Sequence, residues 1–366
     1  MKFKLTEIDR FEFNKLVDVK ETNISLADLF LDYVNGCNAD YNEETIKSLT
    51  GNTLKDKFFN GFLDSMEIDL TNKENSSIAK NYIYPGLSFL DIDKYLSNEY
   101  LKNIKIEPFK EKNFELTSLY YEPYEGFIFD DITVEQSFNY KEITNVGFFN
   151  KQYVFPALLE DNKIWMSINP NEINTMKKAI DEANGKVLVL GLGLGYFAYM
   201  VSLKENVNKV VIIENNALVI DIFKKNIFNQ FKNNEKIEII QDDAFAYLEK
   251  NKNSDFNYVY VDLWHNPNDG LEPYLKVKKY EKELNNIHFE YWLETGLIAL
   301  LRRCLISLIE EEIEGSKDDN YLNSEIFTDT VINKLHFLLK DFEINSFSDI
   351  KKLLSDSSLK SLASKI

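Results

Sequence analysis

The sequence predicts an α/β protein with a mostly parallel sheet, a helical N-terminal domain, a small β segment and a helical C-terminal extension. From Lys186 onward, short apolar runs alternate with helix-like segments, an order typical of a parallel sheet with right-handed helical crossovers. Ahead of them, near residue 125, the apolar residues change from helical spacing to the alternation of half-buried strands. These two observations define the predicted class.

Three segments are predicted along the chain, because 366 residues exceed one typical hydrophobic core. Residues 1–124 are expected to form the helical N-terminal domain, with helices that begin near Ser25 and Thr53. Residues 125–170 form a small β-rich cap segment, a candidate lid or substrate wall. Residues 171–366 form a cofactor-binding α/β domain with a helical tail.

The composition indicates a cytoplasmic protein. The formal net charge is −18 and no basic stripe is present, so we expect no nucleic-acid partner. Cys37 and Cys304 are far apart, which supports neither a disulfide framework nor a zinc site, and no metal is expected. The N-terminus lacks a signal-peptide core, and no apolar run is long enough to span a bilayer, so no membrane partner is expected.

A glycine-rich turn follows the first strand of the predicted parallel sheet, in the stretch Lys186–Tyr196. Val187–Leu190 is short and uniformly apolar, as in a strand that helices cover on both faces. Gly191, Gly193 and Gly195 can adopt positive φ and let a ligand approach the backbone. The helix that follows offers free N–H groups at its start. The turn therefore predicts a site for a nucleotide-like cofactor.

Acidic residues follow the next three predicted strands, which are Lys209–Glu214, Lys236–Gln241 and Phe256–Leu263. Ligands of an open parallel sheet bind at the carboxyl ends of its strands, so we expect Glu214, Asp243 and Asp262 to converge on the glycine turn. Glu214 lies nineteen residues beyond Gly195, where a carboxylate can accept hydrogen bonds from both ribose hydroxyls.

Two cofactor classes fit these residues. A nicotinamide or flavin is favoured by Gly193-x-Gly195-x-x-Ala198, which matches a GxGxxA pattern with an acid at the right distance. A methyl donor is favoured by the end of the third strand, where Asp243 and a free backbone N–H suit a neutral adenine.

Four ordered motifs carry a resemblance to a known family. The stretch from Val187 through the glycines, Lys209-Val-Val-Ile-Ile-Glu-Asn, Asp242-Asp243-Ala244 and Asp262 resemble the class I S-adenosylmethionine-dependent methyltransferases. Within that family, Val189 stands two residues before the first glycine, where methyltransferases often carry an acid. In this respect the chain resembles the spermidine-synthase-like branch. The resemblance covers about residues 165–265 and implies a Rossmann-like sheet of the class I methyltransferase type.

The resemblance also implies which residues hold the cofactor, S-adenosylmethionine. They are Gly191, Gly193, Gly195, Tyr196, Glu214, Asn215, Asp243, Ala244 and Asp262. In this family the glycines line the methionine and ribose moieties, Glu214 would hold the ribose, and Asp243 with Ala244 would hold the adenine. Asp262 would face the reacting centre.

The sequence departs from the branch just after Asp262. Aminopropyltransferases carry an acidic loop there that positions an amine, whereas this chain has Leu-Trp-His-Asn-Pro-Asn-Asp-Gly. The candidate catalytic residues are Asp262, His265 and Asp269. His265 could act as a base near neutral pH, or could be a structural loop histidine.

The tail after the fourth strand is expected to be largely helical. The spacing predicts nearly continuous helix over residues 272–314, with Leu297–Leu301 as the run that could form a fifth strand. His288 lies in this helical pattern and is expected on the polar surface. Gly315-Ser-Lys-Asp-Asp-Asn predicts an exposed loop.

The resulting interpretation is an S-adenosylmethionine-dependent methyltransferase that acts on an unidentified small acceptor and could form a homodimer. In-line transfer of a methyl group relies on positioning and on exclusion of water, so no metal is required. Three alternatives stay open: an aminopropyltransferase using decarboxylated S-adenosylmethionine, a NAD-binding oxidoreductase, and a donor-binding module without turnover. No motif names the acceptor.

Overall fold

The computed structural model describes residues 1–37, 41–252, 255–284, 286–315 and 327–366. In chain order, strands β1 to β16 are Lys2–Phe3, Leu87–Phe89, Phe109–Glu111, Phe114–Tyr121, Phe127–Ile128, Thr133–Glu135, Lys141–Ile143, Val146–Phe148, Tyr153–Glu160, Lys163–Ser167, Gly185–Leu190, Val207–Glu214, Ile237–Gln241, Tyr258–Val261, His288–Tyr291 and Glu343–Ile344. The loop predicted after Gly315 lies outside the described residues.

The α-helices are numbered in the same way. Helices α1 to α17 are Glu7–Asp32, Glu43–Ser48, Leu54–Ser65, Lys73–Ile78, Tyr84–Gly86, Ile92–Leu96, Glu99–Asn103, Pro170–Thr175, Lys177–Glu182, Tyr196–Ser202, Ala217–Asn226, Ala244–Lys250, Pro267–Glu283, Glu294–Glu314, Phe327–Leu339, Phe347–Leu353 and Asp356–Ala363. Short π-helical turns lie at Tyr33–Cys37 and Ala79–Ile83, and 3-10 turns at Gln136–Phe138, Phe228–Gln230 and Asn234–Lys236.

A five-stranded parallel sheet forms the centre of the protein, in the spatial order β13-β12-β11-β14-β15. The predicted α/β class with a mostly parallel sheet is confirmed. Leu190 at the end of β11 lies opposite Ile213 of β12 on one side and Val261 of β14 on the other. Because these strands end in register, the residues that follow them meet at one edge of the sheet.

The fifth strand is β15, so the expectation of a strand at Leu297–Leu301 is wrong. That run lies inside the 21-residue helix α14, and its apolar residues continue around the helix because α14 is buried between other helices. The prediction that His288 lies in a helix is also wrong, because His288 begins β15 and pairs with Tyr258 of β14. Its side chain is exposed, as expected.

A four-stranded antiparallel sheet, in the order β10-β9-β4-β3, stands ahead of the parallel sheet. Strand β4 pairs with β9 along its whole length, from Phe114 opposite Glu160 to Tyr121 opposite Tyr153. The β-rich region therefore begins at β3, before residue 125, and the prediction that residues 1–124 are helical is wrong over 109–121. The cause is visible in β4, where the buried Phe114 and Leu116 alternate with more exposed neighbours.

Helix α1 joins the N-terminal region to the rest of the chain. It begins at Thr6, whose side chain forms a capping box with Asp9, and not near Ser25. Its first half places Phe13 in the same hydrophobic core as the parallel sheet, whereas its second half places Phe30 in a separate N-terminal core. The predicted start of α3 at Thr53 is confirmed by a second capping box.

The C-terminal helices pack against one another. Helix α14 contacts α13, α15 and α17, and the buried Cys304 on α14 is a free thiol. The short pair β1 and β16 brings the two ends of the described chain together. Among the described residues, no helix combines the length and the apolar character needed to cross a bilayer.

Candidate functional site

A groove of about 250 Å³ opens at the carboxyl edge of the parallel sheet. Its lining residues are Trp165, Met166, Gly191, Leu192, Gly193, Ile213, Glu214, Asn215, Asp242, Asp243, Ala244, Phe245, Asp262, Leu263, Trp264, His265 and Pro273. The groove thus brings together eight of the predicted site residues, namely Gly191, Gly193, Glu214, Asn215, Asp243, Ala244, Asp262 and His265. Their roles toward a ligand stay predictions.

At two glycines of the turn, other groups that line the groove approach the backbone so closely that a Cβ atom would not fit. Gly191 has φ +103°, and a Cβ atom there would stand 2.0 Å from the backbone carbonyl oxygen of Asp262. Gly193 has φ +51°, and its Cβ atom would stand 2.0 Å from Sδ of Met166. Any side chain at either position would both strain the backbone and displace a wall of the groove.

Gly195 and Tyr196 are not among the residues that line the groove, and their contact with the cofactor stays a prediction. Gly195 caps helix α10, and a Cβ atom there would stand 2.5 Å from the ring of Phe223, so this glycine permits close packing of two elements. Tyr196 is buried, and its hydroxyl oxygen accepts a hydrogen bond from Asn98 at 2.9 Å. The spacing of the glycines in the sequence does not distinguish a glycine that permits close packing from one that contacts a ligand.

The carboxylate of Glu214 joins the second strand to the glycine turn. One oxygen, Oε1, accepts a hydrogen bond from the backbone N–H of Asn216 at 2.8 Å, and Oε2 accepts one from Leu192 at 3.2 Å. Burial raises the pKa of Glu214, and the backbone donors oppose that rise. The side chain of Glu214 is thus held in the wall of the groove, at the strand end where a carboxylate that binds ribose was predicted.

The third strand delivers two acids with different partners. Asp243 caps helix α12, because its Oδ1 accepts a hydrogen bond from the N–H of Ala246 at 2.8 Å. Asp242 forms an ion pair with Lys250 at 3.1 Å, and this contact lowers the pKa of Asp242. One carboxylate therefore stabilises a helix and the other is neutralised, while Ala244 leaves the groove wall free of a bulky side chain.

Asp262, after the fourth strand, lines the groove and has no cation as a partner among the groove's described lining residues, since none of these is Lys or Arg. Burial, followed by the negative charge of Glu214, raises the pKa of Asp262 from 3.8 to about 7. A carboxyl group with this pKa can exchange a proton near neutral pH.

Glu172 on helix α8 is a buried acid whose pKa is affected by the charge of Asp262, and the sequence pattern did not single it out. Its side chain is only 8% exposed, and its Oε2 atom has no hydrogen-bond partner among the described residues. Burial, followed by the negative charge of Asp262, raises the pKa of Glu172 well above its ordinary value. The available signal was its spacing: Glu172, Met176 and Ile180 recur every four residues on the buried face.

The loop after Asp262 forms the outer wall of the groove. The indole of Trp264 is buried and donates a hydrogen bond to the carbonyl of Trp292 at 3.2 Å. His265 is half exposed, with Nδ1 at 2.9 Å from Oδ2 of Asp269 and its ring edge-on to Trp165. The carboxylate of Asp269 therefore sets which nitrogen of the His265 ring carries the proton.

Asp269 is not among the residues that line the groove, and its catalytic role stays a prediction. Its carboxylate closes the capping box of helix α13 by accepting hydrogen bonds from the N–H groups of Asn266 at 2.8 Å and His265. In this structure Asp269 positions the loop and the imidazole ring of His265.

One group of metal-ligand side chains occurs among the described residues, formed by Glu182, His288 and Glu290. It lies on the β15 side of the sheet, and none of its members lines the groove. Lys178 forms an ion pair with Glu290, so a cation already neutralises part of this group.

Residues 167–286 match the family model described as the spermine/spermidine synthase domain. The resemblance seen in the sequence is confirmed. The match covers β11 to α13, and therefore the glycine turn, Glu214 and Asp262, together with Glu172 on α8. It supports a transferase class for this part of the chain. No curated protein matches the sequence.

Two solved structures are similar to parts of the chain. The spermidine synthase from Thermotoga maritima aligns with 19% identity and a TM-score of 0.30, over 42% of this chain and 55% of its own. An O-methyltransferase from Bacillus cereus, solved in complex with SAH, aligns with 13% identity and a TM-score of 0.28, over 45% of this chain and 66% of its own. The chain thus spans less than two thirds of either protein.

Proposed function

We propose that this chain transfers a methyl group from S-adenosylmethionine to a small acceptor. The observation that supports the proposal is the glycine turn, kept open at Gly191 and Gly193, with the Glu214 carboxylate hydrogen-bonded to the amide of Leu192. A carboxylate at the end of the second strand suits two ribose hydroxyls. The match of residues 167–286 to a transferase domain favours the same class.

The residues of the groove fit a sulfonium nucleotide in shape and in charge. Gly191 and Gly193 leave bare backbone where a Cβ atom would meet Asp262 and Met166, which also line the groove, and Ala244 leaves room beside Phe245 for a flat base. Asp262 would face the cationic sulfonium centre, whose partly desolvated charge it offsets. When bound, the donor supplies an electrophilic methyl carbon.

The contribution of the protein is to position the reactants and to exclude water. Trp165 and Trp264 both line the groove, and the hydrogen bond from Trp264 to Trp292 keeps that indole in place. Displacement at a methyl group is accelerated chiefly by alignment of the nucleophile with the breaking bond, so a rigid aromatic wall is useful here.

Aminopropyl transfer is the second candidate, and the charge of the groove favours it. Glu214, Asp242, Asp243 and Asp262 are acids that line the groove, and none of its described lining residues is Lys or Arg. Decarboxylated S-adenosylmethionine lacks the donor carboxylate, so it carries one more net positive charge and suits an acidic groove. The spermine/spermidine synthase description of the matching domain favours this candidate as well.

Calorimetric titration of the full chain tests the proposal with four compounds: S-adenosylmethionine, its decarboxylated form, S-adenosylhomocysteine and NAD. We expect saturable binding of S-adenosylmethionine and S-adenosylhomocysteine, weakened about tenfold or more in Glu214→Ala because the ribose hydroxyls lose a charged acceptor. Glu235→Ala, which removes an exposed carboxylate outside the groove, is the matched control.

The same titration separates the candidates. Tighter binding of the decarboxylated donor would move the assignment to aminopropyl transfer. Saturable NAD binding without any heat from the sulfonium compounds would contradict both transferase candidates and restore the oxidoreductase alternative.

A further inference from the structure

The three metal-ligand side chains named above lie at the edge of the parallel sheet where its strands begin. Glu182 ends helix α9, just before strand β11, and His288 and Glu290 lie on β15, of which His288 is the first residue. One ligand atom from each residue lies within 4.8 Å of the other two. The groove lies at the carboxyl ends of the strands, so this group is separate from it.

We propose that Glu182, His288 and Glu290 bind a divalent transition-metal ion of the zinc class. The ion joins the end of α9, and with it the start of β11, to the edge strand β15, and it acts as a structural cross-link. This site goes beyond the proposed transferase function, because none of its ligands lines the groove. Two of the three ligands also lie after residue 286, where the match to the family domain ends.

The geometry of the ligand atoms is close to that of a tetrahedral zinc site. Nitrogen and oxygen ligands that bind one ion at about 2.0–2.1 Å are about 3.4 Å from one another. Nε2 of His288 and Oε2 of Glu182 are 3.5 Å apart. Both of these side chains are exposed, so they can rotate toward the buried Glu290. Three protein ligands leave the fourth position for a water molecule.

The chemistry of the ligands favours a transition metal over Mg²⁺ or Ca²⁺. Both of those ions prefer oxygen ligands, and Mg²⁺ loses its bound water reluctantly. The imidazole nitrogen of His288 suits zinc and its neighbours in the first transition row. The ion also brings positive charge to Glu290, which is only 8% exposed.

A buried phenol beside the ligands supplies a second, independent observation. Tyr258 lies directly opposite His288 in the paired strands, and the two rings stack with centroids 5.1 Å apart. Tyr258 is 1% exposed, and its hydroxyl has no hydrogen-bond partner among the described residues. Buried polar atoms ordinarily have such a partner. A water molecule on a bound ion is a group that can satisfy this hydroxyl, since groups around metal sites commonly make such hydrogen bonds.

The ammonium group of Lys178 is the cation now beside these carboxylates. It forms an ion pair with Glu290, and its Nζ atom lies 3.9 Å from Oε2 of Glu182. The side chain of Lys178 is 70% exposed, so water can take up the ammonium group when it is displaced. Ion pairs of exposed side chains contribute little to stability. Lys178 therefore competes with a metal ion for the same carboxylates.

An ion-pair network without a metal site makes different predictions. In such a network, ions bind only as loose counter-ions of an acidic surface, so Zn²⁺, Mg²⁺ and Ca²⁺ would bind alike and His288 would not matter. In the proposed site, the imidazole nitrogen determines which ion binds, and Lys178 weakens the binding. The choice of ion and the effect of Lys178 thus separate the two roles.

The test is calorimetry on the full chain, freed of metal with a chelator, with zinc, magnesium and calcium chloride. We expect one zinc site, with the other two ions bound at least about a hundredfold more weakly. His288→Gln and Glu182→Gln should each reduce the zinc affinity about tenfold or more. Lys178→Gln should raise it about threefold or more, because the competing ammonium group is gone. Asp181→Asn and Lys177→Gln, exposed neighbours on α9, should leave it unchanged.

Thermal unfolding of the same proteins gives a second readout. Saturating Zn²⁺ should raise the melting temperature of the wild type and not that of His288→Gln, because an ion that binds only the folded state stabilises that state. An unchanged melting temperature of metal-free His288→Gln shows that this variant is folded, and Glu182→Gln repeats the test independently. The proposal is overturned by absence of zinc binding, by equal affinity for Zn²⁺ and Mg²⁺, by equal zinc affinity in wild type and His288→Gln, or by no gain in Lys178→Gln.

Discussion

Two buried glutamates of this protein have nearly equal exposure and opposite surroundings. Glu142 is 7% exposed and forms an ion pair with Arg303, whose Nε atom lies 3.2 Å from Oε1 of the carboxylate. Glu172 is 8% exposed, its Oε2 atom has no hydrogen-bond partner among the described residues, and burial and then the charge of Asp262 raise its pKa. The first glutamate connects strand β7 to helix α14, and the second lies on helix α8.

The difference shows where the fold tolerates an electrostatic cost. On helix α14 the buried Arg302 is also matched, by Asp356 and by the carbonyl of Leu354. At the groove, burial and then the charge of Asp262 instead raise the pKa of Glu172, and burial and then the charge of Glu214 raise the pKa of Asp262. Unmatched buried charge lowers stability, and proteins keep such charge mostly at sites where a ligand or a reaction uses it.

The largest expected effect on stability comes from removing one member of the Glu142–Arg303 ion pair. Glu142→Gln should lower the free energy of unfolding by about 3 kcal/mol, because it leaves Arg303 with an uncompensated charge in a mostly buried place. Glu172→Gln should leave the free energy of unfolding unchanged or raise it at pH 8, because it removes like-charge repulsion. Urea unfolding of both variants measures this contrast, and a larger loss in Glu172→Gln would contradict it.

Replacement of the first glycine of the turn should affect both stability and binding. Gly191→Ala places a Cβ atom 2.0 Å from the carbonyl oxygen of Asp262 at φ +103°, so the fourth strand end must move. We expect loss of about 2 kcal/mol in stability and at least about tenfold in donor affinity. Gly315→Ala is the control, since it has φ +70° and no neighbour within 4 Å; equal donor affinity in both variants would refute a role for the turn.

The raised pKa of Asp262 predicts opposite pH trends for stability and for binding. The folded state holds the proton more tightly than the unfolded state, with pKa values of about 7 and 3.8, so this group makes stability fall as pH rises through that interval. A cationic ligand prefers the ionised form, so its affinity should rise between pH 6 and pH 8. Asp262→Asn should flatten both curves, which thermal unfolding and calorimetry across this range can follow.

A smaller pH effect is expected outside the groove, at Asp131. Its carboxylate accepts hydrogen bonds from the N–H groups of Thr295 and Gly296 at the start of helix α14, yet burial raises its pKa from 3.8 to about 6. The contribution of Asp131 to the free energy of unfolding should therefore fall as the pH rises from about 4 to about 6. Asp131→Asn should remove that part of the slope, and an unchanged slope would show that the helix amides offset the burial.

The sequence predicted the parts of the fold that depend on local pattern. The strand ends at Glu214 and Asp262 follow apolar runs bounded by turn residues, and their convergence follows from parallel pairing alone. The run Leu297–Leu301 was misassigned because a short apolar run has the same appearance in a buried helix and in a strand. Glu172 was missed because its burial depends on packing of a six-residue helix against distant strands.

The central claim is that the unmatched carboxyl groups of the groove exist for a cationic ligand. Calorimetry of S-adenosylmethionine binding at pH 7, repeated in buffers with different ionisation enthalpies, tests it most directly. A cation beside Asp262 must lower the pKa of that group from about 7, so the account predicts proton release on binding, lost in Asp262→Asn. Binding without any dependence on the buffer, or with proton uptake, would contradict the account.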